Sequence, residues 1–415
     1  MKDQTRDWIA LDRAHAWHPF TDQGEWESVV PLVLVKGEGV WLFDSEGKRY
    51  LDANSSIWTN IHGHSHPDIV AAIQNQASEL SHSSYLGFAN APASELAGKL
   101  CAFFPDELTR CFFSDDGSTA LEVALKMSLQ FSQQNGGAER FGIIAFEKAY
   151  HGDTLGASSV GGVSRFVKGY GEAGLEVYRV SGMEDLKNLP EVVVRAASAV
   201  VIEPLIQGVN QMTPWPSGML AELRSWTSER GIHLILDEVM TGFGRTGKMF
   251  ACQKEEVIPD FLCLAKGLTG GTMPLAATLT REEIYEGFKG VENTFYYGHS
   301  YTANALGCAA ALASLRIFEG NGVLDGVEQK GLKIEAALSK IAGVHEVRRV
   351  GLVLGFDVAE GKGKVVCERL KREGVLTRPI LDTIVIMPPL AINDDEIDFL
   401  VRACEKVFEQ PLKKP

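Results

Sequence analysis

The chain has 415 residues, which is more than one small hydrophobic core needs and suggests two domains or more. Apolar residues make up 45% and charged residues 23%, the composition of an ordinary soluble globular protein. The formal net charge of −14 disfavours a nucleic-acid partner, because such a partner requires a clustered basic surface.

Neither the cysteines nor the first residues indicate secretion. The seven cysteines include no pair at C-x-x-C spacing and their number is odd, so we expect no disulfide framework and no metal site. The first twenty residues are polar, and no apolar run approaches the ~20 residues that a membrane span requires. The sequence therefore predicts a cytoplasmic protein without membrane contact.

In chain order, the first predicted element is a small antiparallel hairpin. Residues 33–51 alternate in polarity and turn at Ser45, Glu46 and Gly47. Helical patterns follow at residues 120–130 and 218–229. Between and after them lie short apolar runs, which predict strands covered on both faces: residues 142–146, 199–202, 234–236 and 261–264. A helix from about residue 310 and a strand at 383–387 complete the pattern.

Alternating strands and helices predict an α/β fold with a mainly parallel sheet. We predict a large α/β domain over residues 61–310. A small α+β domain would form from both chain ends, residues 1–60 and 311–415.

Gly117 and Ser118 lie in the first of four segments that carry chemistry, FFSDDGSTALEVA at residues 112–124. An apolar run ends there and a helical pattern begins. The N–H groups and dipole of a helix start favour a phosphate, and glycine allows close backbone approach. Taken alone, the segment would more simply be a turn with a helix cap.

The next two segments end predicted strands with a carboxylate and an amine. Asp237 and Glu238 follow the run at 234–236, and ligands of α/β sheets bind at the carboxyl ends of strands. A carboxylate there can keep a ring nitrogen protonated. Lys266 follows the run at 261–264 and precedes a Gly-rich loop. In a partly desolvated site its amine becomes nucleophilic and can form a Schiff base.

The fourth segment, AYHGDTLG at residues 149–156, places two rings side by side, Tyr150 and His151. An isolated aromatic residue usually packs in a core. The four segments together are far more specific than any one of them, because their order and spacing also match.

In that order and spacing the chain resembles the class III aminotransferases of the fold-type I pyridoxal-phosphate family, over nearly its whole length. The block LILDEVMTGFGRTG followed by LAKGLTGG is the most specific part. The resemblance implies that Lys266 holds pyridoxal 5′-phosphate, that Asp237 binds the pyridine nitrogen and that Tyr150 stacks on the ring. These three residues would be catalytic.

The resemblance also implies the other cofactor contacts and a homodimer with shared active sites. Further residues implied near the cofactor are Gly117, Ser118, His151, Glu203, Gln207 and Ser300. Of these, Ser300 would reach the phosphate from the neighbouring subunit. In such enzymes the protonated ring is an electron sink, and the released lysine moves the proton. The expected partners are a small amino donor and a keto acceptor.

Within class III, seven segments are similar to the 7,8-diaminopelargonate synthases of biotin biosynthesis: residues 17–21, 55–58, 60–64, 151–160, 247–255, 267–280 and 375–390. This implies conversion of 8-amino-7-oxononanoate to 7,8-diaminononanoate. Arg378 would bind the acceptor's carboxylate, because a guanidinium recognises a carboxylate with two hydrogen bonds. We expect Arg378 to be fixed and partly buried. The other substrate residues implied are Phe20, Ile57, Trp58, Arg245 and Gly298.

The amino donor is left open by three departures from the pattern of the enzymes that use S-adenosylmethionine. Ile57 replaces the first of two tryptophans, Phe20 replaces a tyrosine, and residues 298–300 read Gly-His-Ser instead of Gly-Pro-Thr. These variants resemble a lysine-using branch. S-adenosylmethionine is the first expectation because it is the commoner donor in the group.

Three other functions remain as alternatives. One is another class III ω-amine aminotransferase, acting on 4-aminobutyrate or ornithine, which would share every cofactor residue. Another is an aminomutase, which needs no second substrate. The third is a regulatory protein that binds the cofactor without catalysis, although the presence of both Lys266 and Asp237 argues against it.

Overall fold

The computed structural model describes residues 2–137, 139–167, 174–320 and 322–409. The helices are α1 (Asp3–His15), α2 (Gln23–Ser28), α3 (Ser55–Trp58), α4 (Pro67–Glu79), α5 (Ala91–Cys101), α6 (Gly117–Gln134), α7 (Leu155–Val160), α8 (Ser164–Val167), α9 (Met183–Lys187), α10 (Glu191–Ala196), α11 (Met219–Glu229), α12 (Glu282–Glu286), α13 (Ala305–Gly320), α14 (Val327–Leu338), α15 (Gly363–Arg372) and α16 (Asp394–Glu409). The strands are β1 (Leu34–Glu38), β2 (Trp41–Asp44), β3 (Arg49–Asp52), β4 (Arg110–Ser114), β5 (Gly142–Phe146), β6 (Glu176–Val180), β7 (Ala197–Ile202), β8 (Ile206–Gln207), β9 (Thr213–Pro214), β10 (His233–Asp237), β11 (Phe261–Leu264), β12 (Ala276–Thr280), β13 (His345–Val350), β14 (Val353–Asp357), β15 (Val375–Leu376), β16 (Pro379–Ile380) and β17 (Thr383–Ile386).

The largest sheet has seven strands in the order β4-β12-β11-β10-β7-β5-β6. All its neighbouring strands pair in parallel except β12, which is antiparallel to both β11 and β4. The predicted α/β fold with a mainly parallel sheet is confirmed. The four predicted strands lie in β5, β7, β10 and β11, whereas β12 was missed.

The central strands are apolar throughout because both faces of the sheet are covered. Every residue of β5 and of β7 is buried. Successive side chains point to opposite faces. Ile144 and Phe146 therefore join one hydrophobic cluster, while Ile143 and Ala145 join another, which includes Leu121 of α6.

Both ends of the chain contribute to a second sheet, β1-β2-β3-β15. The predicted hairpin at 33–51 forms three antiparallel strands, and its turn joins β2 to β3. From the other end, β15 pairs in parallel with β3, with Val375 opposite Leu51. A third sheet has the order β13-β14-β17-β16. The domain boundaries near residues 60 and 310 stay a prediction.

Strand directions decide where functional groups meet. Because β12 is antiparallel to both its neighbours, β4 runs parallel to β11 and β10. The carboxyl ends of all three strands, at Ser114, Asp237 and Leu264, therefore lie at one edge of the sheet. Across the described residues, no helix is long and apolar enough to cross a membrane.

Candidate active site at the carboxyl edge of the sheet

Lys266 begins a short 3₁₀ turn, Lys266–Thr269, two residues after β11 ends. Its φ of 48° is unusual for a residue other than glycine, and such backbone strain often occurs at functional sites. Burial lowers the pKa of Lys266, although the negative charges of Asp237 and Glu203 oppose this shift. A lowered pKa leaves more of the amine neutral, which is the nucleophilic form.

Asp237 ends β10 and is held from two sides. Its Oδ2 accepts a hydrogen bond of 2.7 Å from Nδ1 of His151, and its Oδ1 accepts one of 3.1 Å from the N–H of Val239. Burial opposes protonation of His151, but the hydrogen bond and the charges of Asp237 and Glu203 raise its pKa overall. The His151 ring is therefore more readily protonated, and its hydrogen bond holds the Asp237 carboxylate in place.

The start of α6 lies against the same strand end. Asp116 caps the helix by accepting a hydrogen bond from the N–H of Thr119. A Cβ atom added to Gly117 would lie 2.6 Å from Cγ1 of Val239, so glycine is needed for this close approach. The N-terminus of α6 therefore lies against Val239, two residues after Asp237. Its role as a phosphate cradle stays a prediction.

Ser118 joins the cradle to the loop that carries Tyr150. Its Oγ accepts a hydrogen bond of 3.1 Å from the N–H of Asp153. A Cβ at Gly152 would overlap Oγ of Ser118, so this loop also requires glycine at its closest point. These contacts bring the start of α6 beside the loop that carries Tyr150.

Tyr150 stands in a row of three aromatic rings. Its hydroxyl donates a hydrogen bond of 2.6 Å to Asp153, and burial and this carboxylate raise its pKa. The ring of Phe166 lies 5.7 Å from that of Tyr150 and 5.5 Å from that of Phe20. Phe166 was missed in the sequence. Its only signal there is an aromatic residue soon after the HGDTLG segment.

Glu203 and Gln207 brace the loops around Tyr150. Glu203 accepts hydrogen bonds from the N–H groups of Tyr150, at 3.2 Å, and Gly208, at 3.0 Å. Burial raises the pKa of Glu203 to about 7. Gln207 donates a hydrogen bond of 2.9 Å to the carbonyl of Glu147.

Trp58 and Ile57 come from α3, whose four residues all have positive φ, so it is a single left-handed turn. Trp58 is buried, and its ring centroid lies 5.0 Å from Nζ of Lys266. Ile57 is 46% exposed. The turn thus places one expected substrate residue beside the lysine and leaves the other accessible.

The two arginines expected to bind substrate differ sharply in exposure. Arg378 is exposed, so its predicted partial burial is wrong. Its guanidinium has no ion pair or side-chain hydrogen bond among the described residues, and so nothing holds it against the protein. Burial raises the pKa of Tyr150, and the positive charge of Arg378 acts in the opposite direction.

Arg245 is fully buried. It stabilises the fold and does not make the substrate contact that was expected. It donates hydrogen bonds of 2.5 Å to the carbonyls of Pro388 and Asn60. Burial lowers its pKa to about 9, and the charge of Asp52 opposes this shift. Since no part of its side chain is accessible, we correct the predicted substrate role.

Gly298 and Ser300 lie in an exposed loop. Next to them, Nδ1 of His299 is 3.4 Å from Oδ2 of Asp115, so the loop contacts the segment that precedes α6. The contact of Ser300 with a neighbouring subunit stays a prediction.

Comparison with known proteins agrees with this arrangement. The sequence model of the family described as Aminotransferase class-III matches residues 23–408. The adenosylmethionine-8-amino-7-oxononanoate aminotransferase of Geobacter sulfurreducens is 42% identical over 97% of this chain and 96% of that protein. The protein of the same name from Methanocaldococcus jannaschii is 39% identical over 96% of each chain.

Solved structures show the same fold. A crystal structure of the Methanocaldococcus jannaschii enzyme has a TM-score of 0.93 at 38% identity, covering 97% of this chain and 99% of that one. An (S)-enantioselective omega-transaminase from Thermomicrobium roseum has a TM-score of 0.92 at 30% identity, covering 97% and 98%. With a family match over most of its length and relatives above 30% identity, the chain belongs to the class-III aminotransferase family.

Proposed function

We propose that this chain is a pyridoxal-5′-phosphate aminotransferase that converts 8-amino-7-oxononanoate to 7,8-diaminononanoate in biotin biosynthesis. The observation that carries the proposal is the meeting of Lys266, Asp237 and the α6 N-terminus at one edge of the sheet. The near-full-length similarity to two aminotransferases named for this acceptor supports the choice of reaction.

The residues present fit the cofactor. Gly117 allows the N-terminus of α6 to lie against Val239, and Gly152 allows its loop to lie against Ser118, which brings helix N–H groups suited to a phosphate close to Asp237. Asp237 offers a buried carboxylate for a protonated ring nitrogen, and Tyr150 offers a flat face. When bound, the cofactor supplies an electron sink for the charge that develops at the substrate carbon.

The chain's own groups then perform the acid–base work. Lys266, with its lowered pKa, would hold the cofactor and, once released, accept or return a proton at Nζ. Asp237, oriented by His151, would keep the ring nitrogen protonated because an adjacent anion favours the charged form. The Trp58 ring lies 5.0 Å from Nζ of Lys266 and covers one side of the amine.

The acceptor has a long apolar chain that ends in a carboxylate, and the expected substrate residues offer both kinds of contact. Arg378 presents an exposed guanidinium, whose charge acts on the pKa of Tyr150. Phe20, Phe166 and Trp58 supply apolar surface. A guanidinium separated from Lys266 by apolar side chains would bind the carboxylate of a long acceptor and not that of a shorter keto acid.

For the donor we favour S-adenosylmethionine, with lysine second. The names of the relatives support the first, whereas Ile57, Phe20 and the Gly-His-Ser at 298–300 resemble the lysine-using branch. The test is an amino-transfer assay with 8-amino-7-oxononanoate, run separately with each donor and followed by detection of 7,8-diaminononanoate. The biotin-pathway proposal would be overturned if 4-aminobutyrate or ornithine bleached the cofactor's visible band while neither S-adenosylmethionine nor lysine did.

We also propose a cytoplasmic homodimer. Leu86, Phe88 and Tyr296 expose most of their apolar surface, 89% in the case of Leu86. The ring of His82 lies 4.7 Å from that of Tyr301, so the segment near Leu86 adjoins the 296–301 loop. A second copy covering this patch would reach Ser300. The seven cysteines are all free, as a reducing compartment favours.

A further inference from the structure

The turn that carries Trp58 is left-handed along its whole length. Four consecutive residues other than glycine, Ser55 to Trp58, have φ of 46°, 49°, 67° and 66°. This region is disfavoured for L-residues and most of all for a β-branched side chain such as Ile57. A conformation of this kind persists only where surrounding contacts determine it.

Asp52 supplies two of those contacts directly, and a third through Asn54, from a buried position. Its Oδ2 accepts a hydrogen bond of 2.9 Å from the Ser56 hydroxyl, inside the turn. Its Oδ1 accepts one of 3.2 Å from the N–H of Asn54, whose side chain in turn accepts one of 3.0 Å from Nε1 of Trp58. One carboxylate therefore holds both the entry of the turn and its middle.

His64 completes the cluster from the other side. Its Nε2 donates a hydrogen bond of 2.9 Å to Oδ2 of Asp52, and its Nδ1 accepts one of 3.2 Å from Nδ2 of Asn60. The carbonyl of Asn60 accepts from Arg245, whose buried charge is the counterpart of Asp52. The ring of His64 is thereby fixed at both nitrogens.

The same turn is joined to the segment that follows β17. The Ser55 hydroxyl donates a hydrogen bond of 2.6 Å to the carbonyl of Met387, and the N–H of Met387 donates one of 2.8 Å to the carbonyl of Ala53. Strand β17 pairs with β16, which follows Arg378 directly. These hydrogen bonds therefore link the turn that carries Trp58 to the strands that follow Arg378.

We propose that Asp52 and His64 are positioning residues, which hold the left-handed turn and through it the Trp58 ring beside Lys266. Among the described residues neither makes a hydrogen bond or an ion pair with Lys266, and they act through Trp58. The proposal rests on the proposed function, since it concerns how an amine substrate meets the site. Small displacements of groups around reacting atoms can reduce rates by about 100-fold.

The test uses the holoenzyme and two variants of different severity. Asp52→Asn removes the buried charge. Ser56→Ala removes only one hydrogen bond, from an exposed hydroxyl. We therefore expect the Ser56→Ala variant to fold even if the Asp52→Asn variant does not. The control is Asp260→Asn, which removes a buried carboxylate paired with Arg224 and Arg281 near the start of β11, away from the site.

Three measurements are made on each variant. The rate at which the amine used by the wild type bleaches the cofactor's visible band reports the kinetics, and thermal unfolding reports stability. Near-ultraviolet circular dichroism reports the Trp58 environment, since the difference between wild type and Trp58→Ala isolates its signal. We expect Asp52→Asn to slow bleaching by about 10-fold, and Ser56→Ala by about 3-fold, with loss of the Trp58 signal.

A double-mutant cycle with Trp58→Ala decides whether the effect passes through the ring. In that background, Asp52→Asn should slow bleaching by less than about 2-fold, because the group that it positions is gone. An undiminished effect in the double variant would overturn the proposal. So would a lower Tm with bleaching rate and Trp58 signal unchanged, the behaviour expected of Asp260→Asn. Failure of the wild type to respond to any amine would instead refute the proposed function.

Discussion

Nδ1 of His151 donates a hydrogen bond of 2.7 Å to Oδ2 of Asp237, and both side chains are buried at the end of β10. The carboxylate is thus held in one orientation by a neighbour that cannot move into solvent. One substitution can remove the charge of Asp237, and another can remove the His151 hydrogen bond that orients it.

Asp237→Asn should retain the cofactor but lower turnover by at least ~100-fold, a barrier increase of ~2.7 kcal/mol, because a neutral amide no longer keeps the ring nitrogen protonated. His151→Ala should have a smaller effect, since the charge remains and only its orientation is lost. Steady-state kinetics with absorbance as the control for bound cofactor measure both. Turnover of Asp237→Asn near the wild-type value would disprove the assignment.

Lys266→Ala should abolish the wild-type visible band and nearly all turnover, because no other amine is expected at the cofactor. Lys330→Ala is a matched control, since Lys330 is also partly buried but donates its hydrogen bond to the carbonyl of Leu390, in another part of the chain. Absorbance of the purified proteins distinguishes the two. Persistence of the band in Lys266→Ala would mean that a different lysine holds the cofactor.

Arg378→Ala should reduce kcat/KM for 8-amino-7-oxononanoate by at least ~10-fold through loss of a charge-assisted hydrogen bond, while leaving the cofactor's absorbance intact. Arg378→Lys should fall between, because an ammonium lacks the two-pronged geometry. The methyl ester of the acceptor serves as the control and should react at similar rates with all three proteins. A full effect of Arg378→Ala on the ester would show that its role is not carboxylate binding.

Glu203 predicts a specific dependence of stability on pH. Burial raises its pKa from 4.5 to about 7. Between these values the folded protein holds a proton that the unfolded chain releases, so the contribution of Glu203 to stability falls as pH rises from ~4.5 to ~7, by at most ~3 kcal/mol. Relative to Glu203→Gln, the wild type should therefore lose Tm between pH 5 and pH 7.5. A constant Tm difference across this range would contradict the raised pKa.

The exposed patch around Leu86 predicts an interface. Leu86→Asp should shift the protein toward monomer in sedimentation experiments and reduce activity, because a buried charge destabilises an apolar interface and Ser300 would no longer reach the partner's site. Val192→Asp is the control, since Val192 is 73% exposed on α10 and belongs to no proposed interface. A fully active wild-type monomer would refute the shared site.

Much of the site followed from local sequence pattern. The positions of Asp237 and Lys266 were predictable because each follows a short apolar run that predicts a covered strand, whose carboxyl end lies at the sheet edge. Their roles came from the resemblance to the class III aminotransferases. Gly117 was predictable for a similar reason, since it lies where a strand pattern changes to a helical one. Each of these inferences depends on neighbours in the chain.

Other features were decided only by tertiary structure, because they join residues that are far apart in sequence. Arg245 and Arg378 look alike as arginines near apolar segments, yet one is enclosed by the carbonyls of Asn60 and Pro388 and the other remains exposed. Strand β12 pairs antiparallel with β4, more than 160 residues earlier, and no local pattern indicates that pairing. Likewise, the link between Ser55 and Met387 spans 332 residues. Hydrophobic periodicity reports which face of an element is buried, whereas the partner that buries it is chosen by the packing of the whole chain.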